Sequence, residues 1–363
     1  MYFCVVSIQS ISILFLYGFV FSWLTVPRVA QIVRRYKIFR KPSKRDLHWR
    51  LVPKLTGLSF YISFLLVAFV FVPYVDVQRL SLFLAGGALI SYVGIRDDIF
   101  ELNPLVKLSL QLLAIGLFVV VDDLVVSKLY GFLGVYDLPF GVDYAFTFFI
   151  GVFMINSFNL CDGIDGLAAM MGIVMLVGYG IIFYVIGDIM FLSFSVILIG
   201  GLFAFLRYNL PHKNKVFMGD TGSLFLGYVF YLFTMYIVTS DSAILHSVML
   251  PEKYLIILAV LVLYTIPILD SGSVFFSRVW RKKSPFSPDN SHIHHLVLVF
   301  AKSHVISSII MAGSLALVVI VFSELAFVVE PQITVYIYFC GLFFGYILLF
   351  FTRRYLRSRG INC

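Results

Sequence analysis

GLAAMMGIVMLVGYGIIFYVIGDIMFLSFSVILIGGLFAFLR, residues 166–207, carries one acid, Asp188, and one base, Arg207. A bilayer hydrocarbon core about 30 Å thick needs about 20 apolar residues per helix. The stretch therefore reads as two crossings, 166–186 and 189–206, hinged at Gly187-Asp188. Its runs are continuously apolar and do not alternate, which favours helices over a membrane barrel. Read outward, the pattern recurs at 5–25, 55–74, 80–95, 105–121, 144–160, 222–239, 254–277, 305–326 and 332–352, for about eleven spans in all. With 61% apolar residues and a mean hydropathy of +1.00, the chain cannot be a soluble globular domain. It is expected to be an all-α polytopic membrane protein forming one integral-membrane domain over 1–363.

Lysine and arginine set the orientation. When the spans are threaded in order, 24 of the 27 basic residues fall on one side. Only Arg79, Lys128 and Lys253 fall on the other. The N-terminus is therefore expected outside and the C-terminus in the cytoplasm. The expected cytoplasmic loops are about 26–54, 96–104, 161–165, 207–221 and 278–304. The net charge of +8 thus reflects topology and gives no reason to expect nucleic-acid binding, while a basic inner face attracts anionic headgroups and anionic substrates. The first apolar run carries no preceding positive charge, so it is not expected to be a cleaved signal peptide. The four cysteines have no paired spacing, and no structural disulfide is expected.

Four polar clusters interrupt the apolar chain, and threading puts all four on the cytoplasmic side. Asp97 and Asp98 end the third span, with Glu101 one turn later. Such a group can hold Mg²⁺ or take a proton, and a solvated loop would look much the same. NSFNLCDGIDG, 156–166, is more specific. It holds Asn156, Asn159, Asp162 and Asp165 at three-residue spacing, with two glycines. Asn and Asp oxygens are the hard ligands that Mg²⁺ shares with substrate phosphates, and a plain turn needs fewer of them. VFMGDTGS, 216–223, sets Phe217 and Asp220 at the start of a span, where free N–H groups favour phosphate. Thr221 or Ser223 would serve equally as an ordinary N-cap. RKKSPFSPDNSHIHH, 281–295, brings His292, His294 and His295 beside Arg278 and other bases. That composition fits a pyrophosphate clamp better than a zinc site. Asp270, inside the ninth span, is an intramembrane acid near the same face.

In combination these residues resemble the polyprenyl-phosphate N-acetylhexosamine-1-phosphate transferases, the WecA/MraY family. NSFNLCDGIDGL is similar to the family's N-x-x-N-x-x-D-G-x-D-G-L element, and VFMGDTGSLFLG to its F-M-G-D-x-G-S motif. SPFSPDNSHIHHL resembles the H-I-H-H signature of the WecA branch. The segment from His48 through Pro53 to Gly57, and Lys107-x3-Gln111, also follow the family's order. Two positions depart from it: Glu101 stands where several members have Asp, and Thr56 where many have Gly.

The resemblance implies transfer of an N-acetylhexosamine 1-phosphate from a UDP-sugar to undecaprenyl phosphate, with release of UMP. The product would open O-antigen or related envelope-glycan synthesis at the bacterial inner membrane. The implied donors are UDP-GlcNAc or a related UDP-HexNAc (FucNAc, QuiNAc, GalNAc). The implied cofactor is Mg²⁺, with Mn²⁺ as a substitute, and a homodimer is the expected assembly.

By motif position, Asn159 and Asp220 would bind the metal. Asp97 or Asp98 would position or deprotonate the lipid phosphate, and Asp162 would support the metal shell or the nucleotide. Lys107, Arg278, His292, His294 and His295 would neutralise phosphate. Asp165 and Phe217 would read uracil, and Asn156, Glu101 and His48 would complete the substrate contacts. The competing readings are a phospho-muramoyl-pentapeptide transferase of the MraY branch and, outside enzymes, a lipid-linked sugar flippase or other transporter. A transporter would set its charges near the midplane, whereas these cluster at one interface.

Overall fold

The computed structural model describes residues 8–36, 53–71, 77–210, 215–239, 252–280, 282 and 292–359. The helices are α1 (Ile8–Arg35), α2 (Leu58–Phe71), α3 (Val77–Phe100), α4 (Pro104–Val121), α5 (Val142–Leu160), α6 (Leu167–Ile186) and α7 (Ile189–Asn209). They continue with α8 (Gly219–Thr239), α9 (Leu255–Leu263), α10 (Thr265–Trp280), α11 (Ile293–Ala301), α12 (His304–Val328) and α13 (Pro331–Ser358).

The central post is α8. It is apolar all round, as a helix surrounded by protein must be, and Thr221 to Val238 are buried without interruption. α3 and α5 flank it, and both approach at glycines. A Cβ on Gly94 would lie 2.3 Å from the Thr221 Cα, and one on Gly227 would lie 2.8 Å from the Ile155 carbonyl oxygen. Small residues of this kind let membrane helices pack backbone to backbone. α7 carries α1 on one side and α6 on another, and α12 packs along α6.

Among the described residues, eight helices are long and apolar enough to cross a membrane. A ninth candidate is the pair α9–α10, which bends by 71°. Sequence reading expects one straight span there. Pro267 in the first turn of α10 has no N–H for the Leu263 carbonyl, and its ring crowds the preceding turn. Two further expected spans are not among the eight. α2 is described over 14 residues. α5 has 19 residues, but it carries Asp143, Asn156 and Asn159.

Among the described residues the architecture is otherwise helical, apart from one antiparallel hairpin between α4 and α5. Its strands are β1 (Lys128–Phe132) and β2 (Val135–Asp137), with Lys128 opposite Asp137 and Phe132 opposite Val135. The two turn residues, Leu133 and Gly134, have φ of 50° and 82°, as a two-residue hairpin loop requires. Strands this short leave little trace in the hydropathy pattern.

The alternation of the helices brings the C-terminal ends of α3 and α5 to the N-terminal ends of α4 and α8. At the opposite end, the Tyr236 hydroxyl donates to Asp122, and Arg79 sits 5.4 Å above the Tyr236 ring. The bundle thus has one strongly polar end, described next.

Candidate active site

The N-terminus of α8 leaves backbone N–H groups that need partners, and Asp98 supplies them from α3. Its Oδ1 accepts from the Asp220 N–H at 3.0 Å, and its Oδ2 accepts from the Thr221 N–H at 3.0 Å and the Thr221 hydroxyl at 2.8 Å. A carboxylate is well suited to the positive end of a helix. Gly219, at φ 70°, makes room for it, since a Cβ there would lie 2.5 Å from the Asp98 carboxylate. This arrangement fixes where Asp220 points.

Asp220 anchors a line of alternating charge. Its Oδ2 accepts from the Lys107 ammonium at 2.7 Å, and the same ammonium donates to Asp97 Oδ2 at 2.8 Å. Asp97 Oδ1 also accepts from the Leu102 N–H at 2.7 Å, which locks its rotation. On the other side, the Asn159 amide donates to Asp220 Oδ1 at 3.2 Å and to the Ser223 hydroxyl at 2.8 Å. The Asp220 side chain is 34% exposed and Lys107 17%, so the line is open to a ligand.

The donor chemistry here fits Mg²⁺. That ion takes oxygen ligands, binds through one or two carboxylates, and completes its shell with water and substrate phosphate. Asp220 with the Asn159 amide offers this kind of half-site. Among the described residues no group of three or more His, Cys, Asp or Glu forms a metal cage.

The loop from Cys161 to Gly166, after α5, packs against the start of α8. Asp162 takes a hydrogen bond from the Gly219 N–H and lies near Lys54. Burial, and then the charge of Asp220, push its carboxyl up to about 7. The Gly166 N–H donates to Asn209 Oδ1 at 2.6 Å, and the Asn209 amide donates to the Val216 carbonyl at 2.8 Å. Buried Asn209 thus ties this loop to the stretch before α8.

Asp165 and Phe217 come together through Lys215. The Lys215 ammonium pairs with Asp165 Oδ2 and stands 5.1 Å above the Phe217 ring. His304 Nδ1 lies 2.9 Å from the same Asp165 oxygen. Burial opposes the charge of Asp165, but His304 and Lys215 outweigh it and hold the carboxyl below its ordinary range. The early segment pins Phe217: its N–H donates to the Pro53 carbonyl at 2.8 Å, and its carbonyl accepts from the Thr56 hydroxyl at 2.6 Å.

The histidines make contacts within the protein that the sequence does not show. His292 Nδ1 is 3.0 Å from Asp270 Oδ2, and Asp270 Oδ1 accepts from the Ile293 N–H at 2.6 Å. His292 is therefore committed to the intramembrane acid and starts α11. His294 is 2% exposed, stacks on His292 with centroids 5.5 Å apart, and packs against Gly163. Burial pushes its pKa down to about 3. His295 lies beside it, centroids 4.3 Å apart, and is only half-buried.

The Asn156 side chain is engaged with Gln111, giving at 2.8 Å and receiving at 3.2 Å, and also donates to the Val152 carbonyl. Glu101 is exposed at the end of α3 with φ 49°. Arg278 is half-buried in the last turn of α10. His48 lies outside the described residues. Sequence reading passed over Lys54, Asn209, Lys215 and His304. Lys54 and Lys215 look like topology charges in basic loops, Asn209 ends a long apolar run, and His304 lies beyond the H-I-H-H signature.

Comparison with known proteins follows the same stretch of chain. A model of the family described as Glycosyl transferase family 4 matches residues 80–238, which contain the charged line, the loop and Phe217. A Bacillus subtilis (strain 168) protein named probable undecaprenyl-phosphate N-acetylglucosaminyl 1-phosphate transferase is 30% identical over 347 residues, 92% of this chain and 89% of its own. An Escherichia coli (strain K12) undecaprenyl-phosphate alpha-N-acetylglucosaminyl 1-phosphate transferase is 28% identical over 338 residues, 90% of this chain and 88% of its own. A Yersinia pestis protein of the same name is 28% identical over 348 residues, 93% and 91% of the two chains.

Proposed function

We propose that this chain, which belongs to glycosyl transferase family 4, transfers an N-acetylhexosamine 1-phosphate from a UDP-sugar to undecaprenyl phosphate and releases UMP. The names of its relatives support N-acetylglucosamine as the sugar. The observation that carries the proposal is the line Asp97–Lys107–Asp220–Asn159 at one end of the bundle.

An oxygen of the lipid phosphate attacks the β-phosphorus of the donor, the bond from that phosphorus to the bridging oxygen breaks, and UMP leaves. One phosphoanhydride is exchanged for another. The protein's task is to bring two anions together in line. Lys107 supplies positive charge where they meet, and Asp97 and Asp220 aim its ammonium from either side. A lipid phosphate is already mostly ionised at neutral pH, so Asp97 acts chiefly by positioning. Asp98 holds the start of α8 in place and acts through Asp220. Asp220 and Asn159 would hold Mg²⁺, which when bound neutralises charge on the diphosphate and polarises its phosphoryl oxygens. Asp165 and Phe217 read uracil, the first by hydrogen bond and the second by stacking.

The proposed setting is a bacterial inner membrane crossed eleven times, with the N-terminus outside, the site on the cytoplasmic face, and a homodimer as the assembly. The basic-residue count supports this orientation. So does the separation of Arg79 from the charged line, at the other end of the bundle.

The test incubates purified protein with Mg²⁺, undecaprenyl phosphate and a panel of UDP-sugars, and weighs the lipid product. The expected product is undecaprenyl diphosphate bearing one N-acetylhexosamine, formed best from UDP-N-acetylglucosamine. Asp220→Ala and Asn159→Ala are each expected to lose at least about a hundredfold in turnover. Full turnover by either variant would contradict the metal assignment, and no lipid product from any UDP-sugar would contradict the function.

A further inference from the structure

His304 lies outside every motif and outside the stretch that the family model matches, yet its ring nitrogen meets a residue of the nucleotide loop. It is the first residue of α12, after the N-cap Ser303. One turn on, the Ser308 hydroxyl donates to the Asp165 carbonyl at 2.7 Å. The first turns of α12 therefore grip Asp165 by both its side chain and its backbone. Lys215 reaches the same carboxylate oxygen, while its ammonium stands over Phe217. Two groups from distant parts of the chain converge on Asp165 Oδ2. Convergence on a single oxygen fixes the carboxylate in one rotation and keeps it an acceptor.

We propose that His304 and Lys215 are positioning residues of the base-reading site, and that by orienting the Asp165 carboxylate they set its preference for uracil over cytosine. The inference rests on the reading that Asp165 and Phe217 recognise the base. Uracil presents an N–H at position 3, and cytosine presents a lone pair there. A carboxylate held ionised and in one orientation accepts from the first and repels the second. A carboxylate free to rotate would discriminate less, since rejection of a wrong partner depends on a fixed polar group being left unpaired. Lys215 adds a second constraint by tying the acid to the ring on which the base would stack.

The test measures both Michaelis constants, and inhibition by UMP and by CMP, in wild type, His304→Ala, His304→Asn and Asp165→Asn. His304→Ala should raise KM for UDP-N-acetylglucosamine about tenfold, the scale of one hydrogen bond to a charged group. KM for undecaprenyl phosphate should stay unchanged. The preference for UMP over CMP should fall by a similar factor. His304→Asn keeps a donor close to the position of Nδ1 and should recover most of the preference.

If His304→Ala leaves the UMP preference intact while Asp165→Asn abolishes it, the positioning inference is overturned and the base-reading assignment stands. If Asp165→Asn also leaves the preference intact, the base-reading assignment falls and the inference falls with it. If His304→Ala lowers turnover and raises both Michaelis constants alike, the residue acts through general packing and the inference is overturned.

Discussion

Asp97 and Asp98 are adjacent in sequence and differ completely in their work. Asp97 faces Lys107, whereas Asp98 spends its carboxylate on three donors at the start of α8. Sequence alone kept both as candidates for the acceptor phosphate, because neighbouring helical residues point in directions that only the packing partner distinguishes. Asp98→Asn turns an amide N–H toward the donors of α8 and should cost about 2–3 kcal/mol of stability, together with activity. Asp97→Asn should lose activity with a much smaller stability change, and denaturation of both variants in mild detergent separates the two. Asp162 gives a pH-dependent counterpart. Its folded-state pKa, raised to about 7, exceeds the unfolded value of about 3.9, so the fold binds its proton more tightly. The contribution of this group to stability is full below about pH 4 and declines as pH rises to about 7. Metal-free thermal midpoints across that window should fall less steeply for Asp162→Asn than for wild type, and equal slopes would contradict the assignment. Asp220, Asn159 and Asp97 were legible as neighbours on one face because each sits in a polar cluster at a span end, and Lys107 because it starts the fourth span. Lys215 and His304 were not, because an isolated base beside a membrane span reads as topology until its partner is seen.

At the scale of the elements, glycine spacing records contacts that hydropathy cannot. Gly163 in the loop after α5 faces His294, and a Cβ there would lie 2.1 Å from the ring Nε2. The ring is walled in by His292 and His295 and has little room to retreat. Gly163→Ala should therefore shift the loop between Asn159 and Gly166 and lower turnover about tenfold or more. Gly313→Ala, with no atom within 4 Å of its Cβ, is the matched control and should be silent. Equal activities in the two variants would contradict this packing account. The sequence does not show the surroundings of the three histidines. Their composition suits phosphate, while the pairing of His292 with Asp270 and the packing of His294 against Gly163 arise from elements apart in sequence. The bend between α9 and α10 was missed for a local reason, since one proline in an apolar run changes direction without changing hydropathy.

For the whole molecule, the membrane class and the one-sided gathering of polar clusters were legible, because both are sums over many residues. The number of crossings was less so. α5 ends in the site and gives up apolar character to carry Asn156 and Asn159, and two short strands between α4 and α5 have no hydropathy signature. The basic-residue asymmetry predicts that a fluorescent reporter fused to the C-terminus matures in the cytoplasm. A cysteine placed near Arg79 should react with a membrane-impermeant reagent added outside intact cells, and the reverse pattern would invert the topology. The central claim is that a sugar phosphate, not a free sugar or an intact nucleotide sugar, moves to the lipid at the Asp97–Lys107–Asp220 line. UDP-N-acetylglucosamine labelled at its β-phosphate, incubated with purified protein, Mg²⁺ and undecaprenyl phosphate, tests this directly. Label is expected in the lipid fraction and unlabelled UMP in equal amount, with both absent for Asp220→Ala. Label remaining wholly in the nucleotide, or lipid labelling undiminished in Asp220→Ala, would contradict it.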